Sequence, residues 1–484
     1  MRGLILLHRW LGVAFCLLFA MWFASGIVMH FVPFPVFTEA DRPAALAPLD
    51  LLSVQYGPAQ AVIAGKLGDA VRVRLMQRSD GPVYLVSDSS RTVSLHAVDL
   101  SGASVHTAEL ALAIAKDYAA RRQWNASAAS IAATDSYDQW TVAGQYDRYR
   151  PFYRVALNDA PGIALYVSAV TGEVILDTSR RERIWNYAGS VAHWFYFAEL
   201  RSHPAAWSRL VWWLSLLALI GASAGATTGV LRVGANGSRF LSPYRGWQAV
   251  HHWLGLVCMA FVLTWIFSGW LSMDDGMLFS TGVPSSAETA ALTGAPDWSA
   301  LPRDEARQLD AHTVEAEWFA FGGRIYRRER TGSGTQRLAL AGSPAVSEHA
   351  FLIGKEIDAL ASRLAPRCAP AFVVDTADNY VSVPDVPNAP VFRLICGEDW
   401  FDIDASNGVL LEKLDPSRRA YRWLFGGLHR LDFPVLAARP ALRTALLVAL
   451  CALGFVFSLT GVVVAWRRLQ SCFSANTDPS HGSY

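Results

Sequence analysis

Uncharged apolar runs recur four times along the chain, at 10–29, 210–231, 253–273 and 444–466. Each is close to the ~20 residues that an α-helix needs to cross a bilayer core of roughly 30 Å. Arg9, Arg209, Arg232, Asp274, Arg443 and Arg467 bracket them. The pattern predicts four transmembrane helices and an α-helical polytopic membrane protein. It also predicts two direct repeats. His8-Arg-Trp-Leu-Gly12 opens the first run and His251-His-Trp-Leu-Gly255 opens the third, 243 residues later, and at that offset Ser25-Gly26 matches Ser268-Gly269. A second register, offset 236, runs from Thr171-Gly172 against Asn407-Gly408, through His193 against His429, to Pro204 against Pro440. A short gap then brings Thr228-Gly229 onto Thr460-Gly461. So many matches in order mark a duplication.

Between the apolar runs the pattern changes period. In the first long loop, 71–76 and 83–86 alternate around Ser79-Asp80-Gly81 and read as a hairpin. Residues 108–120 are apolar at helical spacing, and 152–156, 164–168 and 173–176 read as strands. The second loop repeats the order: a hairpin over 317–340 interrupted by Thr331-Gly-Ser-Gly334, a helix at 351–364, and strands at 391–396, 399–403 and 409–414. Each loop is expected to be a small α+β unit.

Arginines set the orientation. Arg232, Arg239 and Arg245 occupy the loop after the second run with no acid among them, Arg2 and Arg9 lie at the start, and Arg467 and Arg468 follow the fourth run. By the positive-inside rule these segments are cytoplasmic and both long loops are external. The first run exceeds a signal-peptide core and carries the repeat motif, so it is expected to be retained. The division that follows is a transmembrane helix at 1–32, an external domain at 33–182, an interfacial segment and second helix at 183–233, and a cytoplasmic loop at 234–250. A third helix at 251–274, a second external domain at 275–418, an interfacial segment and fourth helix at 419–468, and a cytoplasmic tail at 469–484 complete it.

Composition agrees: 52% of the 484 residues are hydrophobic and 17% charged, too apolar for an ordinary soluble chain. A net charge of +1 gives no sign of a nucleic-acid partner. Cys16, Cys258 and Cys451 fall in apolar runs and Cys472 in the tail. Cys368 and Cys396 share the external side, where an oxidising compartment lets them form a disulfide.

Histidine carries the candidate chemistry. His8 and His251 sit at the cytoplasmic ends of the first and third runs, and His193 and His429 precede the second and fourth at the external end. An axis along the membrane normal would relate each pair, as in parallel-repeat membrane proteins. Two facing imidazoles can ligate one haem iron from both sides, which offers two haems, one near each face. Single histidines near a headgroup zone are otherwise anchors. His252 is an alternative to His251, and His30 competes for the outer site, 22 residues past His8 or about 33 Å along a helix. The Ser/Thr-Gly pairs would leave room for a flat macrocycle, or simply let helices pack closely. No G-x-G-x-x-G follows a strand and no Walker loop occurs, so electrons would come from a membrane quinol or a separate reductase.

His8-Arg-Trp-Leu-Gly, His251-His-Trp-Leu-Gly-Leu, Leu263-Thr-Trp-Ile-Phe-Ser-Gly-Trp-Leu-Ser-Met273 and Leu428-His-Arg-Leu-Asp-Phe433 resemble the PepSY-associated transmembrane proteins of bacteria. Leu165-Tyr-Val-Ser-Ala-Val-Thr-Gly-Glu-Val174 and Trp400-Phe-Asp-Ile-Asp-Ala-Ser-Asn-Gly-Val409 resemble the strand–turn–strand end of PepSY domains. The resemblance spans nearly all of the chain. It implies a bacterial inner-membrane protein with two PepSY-like periplasmic domains. Some relatives of that kind are ferrisiderophore reductases with two b-type haems, which makes His8, His251 (or His252), His193 and His429 the expected ligands. The expected activity is reduction of a ferric siderophore or other ferric chelate for iron uptake, at a site that Trp194, Tyr196 and Phe433 either border or flank as an interfacial belt. Other PepSY domains are associated with peptidase inhibition. The alternative is therefore a periplasmic partner-binding or protease-regulating protein anchored by its helices.

Overall fold

The computed structural model describes residues 2–38, 41–234, 242–274, 276–343, 349–375, 378–380 and 389–476. Arg239 lies outside the described residues, as do parts of the predicted cytoplasmic loop and tail. Contacts divide the chain into two compact units: Met1–Phe34, Ile184–Phe279 and Ala420–Tyr484 form one, and Pro35–Arg183 with Ser280–Arg419 form the other.

The first unit is built on four long helices, α1 (Arg2–Phe31), α2 (Pro204–Arg232), α3 (Trp247–Leu271) and α4 (Pro440–Asn476). Each is long and apolar enough to cross a membrane. Pro204 and Pro440 sit at the first position of α2 and α4, where the missing N–H has no intrahelical partner to lose. α1 packs against α4 and α2, and α3 against α2 and α4. Phe15, Phe23, Ala218, Cys258, Val262, Trp265, Ile266 and Cys451 fill the centre. Ahead of α2 and α4 the chain makes two matching elbows. Tyr187–Val191 and Arg422–Gly427 are π-helical, Ala192–Trp194 and Leu428–Arg430 add one helical turn each, and left-handed Phe195 and Leu431 end them. The elbows lie 236 residues apart, in the second repeat register.

The second unit contains β1 (Arg72–Arg78), β2 (Gly81–Ser87), β3 (Thr92–His96), β4 (Ser130–Asp135), β5 (Phe152–Ala156), β6 (Ala164–Ser168) and β7 (Val174–Thr178) from the first loop. The second loop contributes β8 (Thr313–Phe321), β9 (Arg324–Thr331), β10 (Gln336–Leu340), β11 (Phe372–Val373), β12 (Val391–Cys396), β13 (Asp399–Asp404) and β14 (Leu410–Leu414). β4-β5-β6-β7 and β11-β12-β13-β14 are separate four-stranded antiparallel sheets. The helix Ala108–Arg121 packs on the first and Gly354–Leu364 on the second. The β6–β7 and β13–β14 turns pass through Gly172 and Gly408, both at φ +69, a conformation that suits glycine.

The two loops are not independent units. Their first strands join in one six-stranded sheet ordered β10-β9-β8-β1-β2-β3. β1 pairs antiparallel with β8, and Arg74 lies opposite Glu317. The predicted hairpin over 317–340 is three strands, because Gly322 and Gly323, both at positive φ, make an additional turn. An alternation rule reads a face of Arg and Glu as solvent-facing. Here that face is buried. Glu315 and Glu317 are each 1% exposed, and Arg74, Arg328 and Arg330 are also buried. Glu315 pairs with Arg74 and Arg330, Glu317 with Arg72 and Arg328, and Arg74 also bonds Glu173 at 2.7 Å. Cys368 and Cys396 are joined by a disulfide.

Candidate functional site

In the helix unit the repeated histidines meet in pairs. His8 from α1 and His251 from α3 have ring centroids 6.3 Å apart and planes 24° apart. His193 and His429, carried by the two elbows, have centroids 6.2 Å apart and planes 69° apart. Ser25, which contacts His193, lies 17 residues along α1 from His8, so the two pairs are separated by about 25 Å of helix.

The partners of each ring fix its tautomer. His8 Nδ1 is 3.0 Å from the Gly221 carbonyl oxygen. A carbonyl only accepts, so Nδ1 carries the proton. His193 Nδ1 is 2.9 Å from Ser25 Oγ, His429 Nδ1 is 3.1 Å from Ser268 Oγ, and His251 Nδ1 is 2.9 Å from Thr460 Oγ1. Each of these hydroxyls has a single proton, and each donates it to a backbone carbonyl one turn back: Ser25 to Trp22, Ser268 to Trp265 and Thr460 to Phe457. Their oxygens therefore accept from Nδ1–H. His429 Nδ1 also lies 3.3 Å from the Trp265 carbonyl. Among the described residues nothing hydrogen-bonds Nε2 of these four rings. All four thus present an unprotonated Nε2, the form that binds a metal when the other nitrogen is held by a neighbour.

The two alternatives behave differently. His252 donates from Nε2 to the Gly229 carbonyl at 2.9 Å and accepts from Ser242 Oγ at Nδ1, 2.8 Å away. Both nitrogens are used, and the tautomer is the opposite one. His252 ties the segment that enters α3 to the end of α2. His30 bonds Thr444 Oγ1 through Nε2 at 2.9 Å and packs edge-on to Phe31.

Glycines admit the rings. A Cβ on Gly225 would stand 2.4 Å from His8 Cε1, and one on Gly461 would stand 3.4 Å from His251 Cε1. At the other pair the distances are 3.3 Å from His429 at Gly269 and 3.9 Å from His193 at Gly26, so Gly225 is the tightest of the four. The repeat match of Gly461 is therefore Gly225, not Gly229, which lies against His252. The second register continues unbroken through α2 and α4. The gap read from Thr228-Gly229 is a shift of four residues, about one helical turn, which leaves the same face showing. In the corrected register Ala224 stands where the other half has Thr460. That is why His8 bonds a backbone carbonyl and His251 a hydroxyl. The glycines make room for the imidazoles themselves.

Metal–imidazole bonds are about 2 Å and a ring centroid lies about 1.1 Å behind its nitrogen, so two imidazoles trans on one metal have centroids roughly 6.2 Å apart. Both pairs fit that spacing. Among the described residues no three His, Cys, Asp or Glu side chains group as a metal site. His8 and His251 also line a cavity of about 580 Å³ in the helix unit, within the usual range for small-molecule and cofactor sites.

Repetition in the sequence pointed to the four histidines. It did not point to the hydroxyl acceptors: the Ser/Thr-Gly pairs drew attention to their glycines, while Ser25, Ser268 and Thr460 hold the rings. No protein-family model matches the chain, and no curated protein matches it.

Proposed function

We propose that this chain is a multi-pass protein of the bacterial inner membrane that carries electrons through two b-type haems and reduces ferric chelates, ferric siderophores among them, in the periplasm. One haem would lie on His8 and His251 and the other on His193 and His429. The observation that carries the reading is the shared state of these four rings: Nδ1–H is committed, Nε2 is unprotonated, and the pairs stand at the spacing of trans ligands. Anchoring histidines have no need of that uniformity, and His252 in the same helix lacks it.

Bound haem supplies one-electron transfer there. The chain's own groups do the rest. Ser25, Ser268, Thr460 and the Gly221 carbonyl hold the rings by Nδ1 and fix their orientation. Phe15, Phe23, Val262, Trp265 and Ile266 keep water from the stretch between the pairs. On this reading the four long helices span the membrane, the arginine-rich loops are cytoplasmic, and the sheet unit is periplasmic and PepSY-like. A quinol or a separate reductase is the electron donor. Trp194 packs at 5.1 Å on Tyr196 beside His193, and Phe433 on Trp423, which suits an interfacial belt.

The test is an absorption spectrum of full-length protein purified from haem-supplied cells. It is expected to show b-type haem near two per chain. His8→Ala or His251→Ala should remove one haem and His193→Ala or His429→Ala the other. A colourless wild-type preparation would end the redox reading and leave that of a helix-anchored protein whose PepSY-like part binds partners or regulates a protease.

A further inference from the structure

Among the described residues, the cavity beside His8 and His251 is lined by four that bear guanidinium, Arg9, Arg245, Arg467 and Arg468, and by no Asp or Glu. In the sheet unit the buried arginines are handled otherwise. Arg74, Arg327 and Arg393 each face a carboxylate. All four are exposed, so water screens their mutual repulsion, and an anion entering the cavity would meet four cations at once.

The positive-inside rule accounts for arginines at this end of the bundle, but not for where they converge. By the repeat, Arg2 is the equivalent of Arg245 and Arg232 of Arg468. Neither Arg2 nor Arg232 is among the lining residues. Arg9 and Arg467 have no arginine equivalents: His252 and Leu231 stand in their places. Symmetry would build two similar rims, and the chain builds one.

We infer that this rim is a carboxylate-binding site, and that it holds the acidic side arms of a tetrapyrrole seated between His8 and His251. The inference rests on the haem reading. Guanidinium matches a carboxylate in a two-point fork, and such charge-assisted bonds are about twice as strong as neutral ones. A neutral quinol offers these cations hydroxyl oxygens but no charge. The rim would also set which way the ring lies: its acidic edge toward the arginines and its apolar edge toward the rest of the lining.

The experiment uses full-length protein expressed without haem, loaded in detergent with haem or with haem dimethyl ester, whose side arms carry no charge. Loss of each haem to an excess of apomyoglobin is followed by its spectrum. Haem in the inner site is expected to leave about tenfold faster from Arg245→Gln/Arg468→Gln than from wild type, the scale of one charged hydrogen bond. The matched pair Arg2→Gln/Arg232→Gln should leave that rate unchanged, and the outer haem should be unaffected in both, which shows that each variant is folded. The dimethyl ester should leave the wild-type inner site faster to a similar degree. Equal rates for haem and its ester, or equal effects of the two arginine pairs, would overturn the inference while leaving two haems in place. A rim effect seen only in nanodiscs with anionic lipid would also overturn it, by assigning the rim to lipid phosphate. Failure of wild type to take up either tetrapyrrole would instead remove the underlying haem reading.

Discussion

His251 gives its Nδ1 proton to Thr460 Oγ1 at 2.9 Å, and Thr460 passes its own to the Phe457 carbonyl at 2.6 Å. The ring also stacks on Phe457, 4.8 Å away. Ser25 and Ser268 hold His193 and His429 in the same two-step way. These hydroxyls are positioning residues on the proposed reading. A donor bond at Nδ1 makes the ring electron-rich and favours ferric iron, so removing the acceptor should raise the midpoint potential. Thr460→Val, Ser25→Ala and Ser268→Ala are each expected to keep both haems and shift one potential upward in a redox titration followed by absorbance. Thr460→Ser should restore the wild-type value. Three variants with unshifted potentials would remove the role assigned to the hydroxyls.

The glycines give a graded prediction. A methyl at Gly225 meets the His8 ring at 2.4 Å, inside any tolerated contact, whereas one at Gly26 stops 3.9 Å from His193. Gly225→Ala should displace His8 and empty the inner site. Gly26→Ala should leave the outer haem bound. Pyridine-haemochrome quantification of both proteins reads the difference, and similar occupancy in the two would mean that His8 has room the structure does not give it.

Some of this was legible in the sequence, for reasons that differ by element. Apolar runs of the length found in α1 to α4 have few explanations, and each of the four histidines has a counterpart at a repeat offset, 243 or 236. The junction of β1 with β8 was hidden. Its buried face carries Arg74, Glu315, Glu317 and Arg328, and those residue types signal solvent unless their partners are known. The partners come from β9 and from Glu173, which a local pattern does not connect. The repeat alone does not single out Gly225, because a four-residue shift along a helix preserves the face and Gly229 matches Gly461 equally well. The separation of His251 from His252 needed hydrogen-bond partners that no spacing carries.

The buried ion pairs make their own forecast. Glu315 is 1% exposed and faces Arg74, Arg330 and, at 3.9 Å, Arg42. Neutralising it removes a counter-charge that buried Arg74 and Arg330 share, and breaking a buried pair costs about 3–5 kcal/mol. Glu315→Gln should therefore lower the stability of the sheet unit strongly in chemical denaturation. Asp310→Asn, which breaks the more exposed pair with Arg337, should change it by about 1 kcal/mol or less. A small effect at Glu315 would mean that water reaches this face.

The last prediction concerns Cys368 and Cys396, which close a segment with a sequence separation of 28. Cys396 ends β12, and Cys368 follows the helix Gly354–Leu364 that packs on that strand. The bridge therefore ties the helix to the sheet beside Ile357, Leu394 and Phe401. Thiol labelling of the unfolded, unreduced protein should modify Cys16, Cys258, Cys451 and Cys472 and miss the other two, with all six reacting after reduction. Constraining a loop of this size in the unfolded chain stabilises the fold by roughly 3.5 kcal/mol in the chain-entropy view. Cys368→Ser with Cys396→Ser should cost about that much, and the loss should fall on the sheet unit, with haem content unchanged. Labelling of either cysteine before reduction would refute the pairing. An equally stable double variant would mean that the packing of the helix on β12 already supplies the constraint.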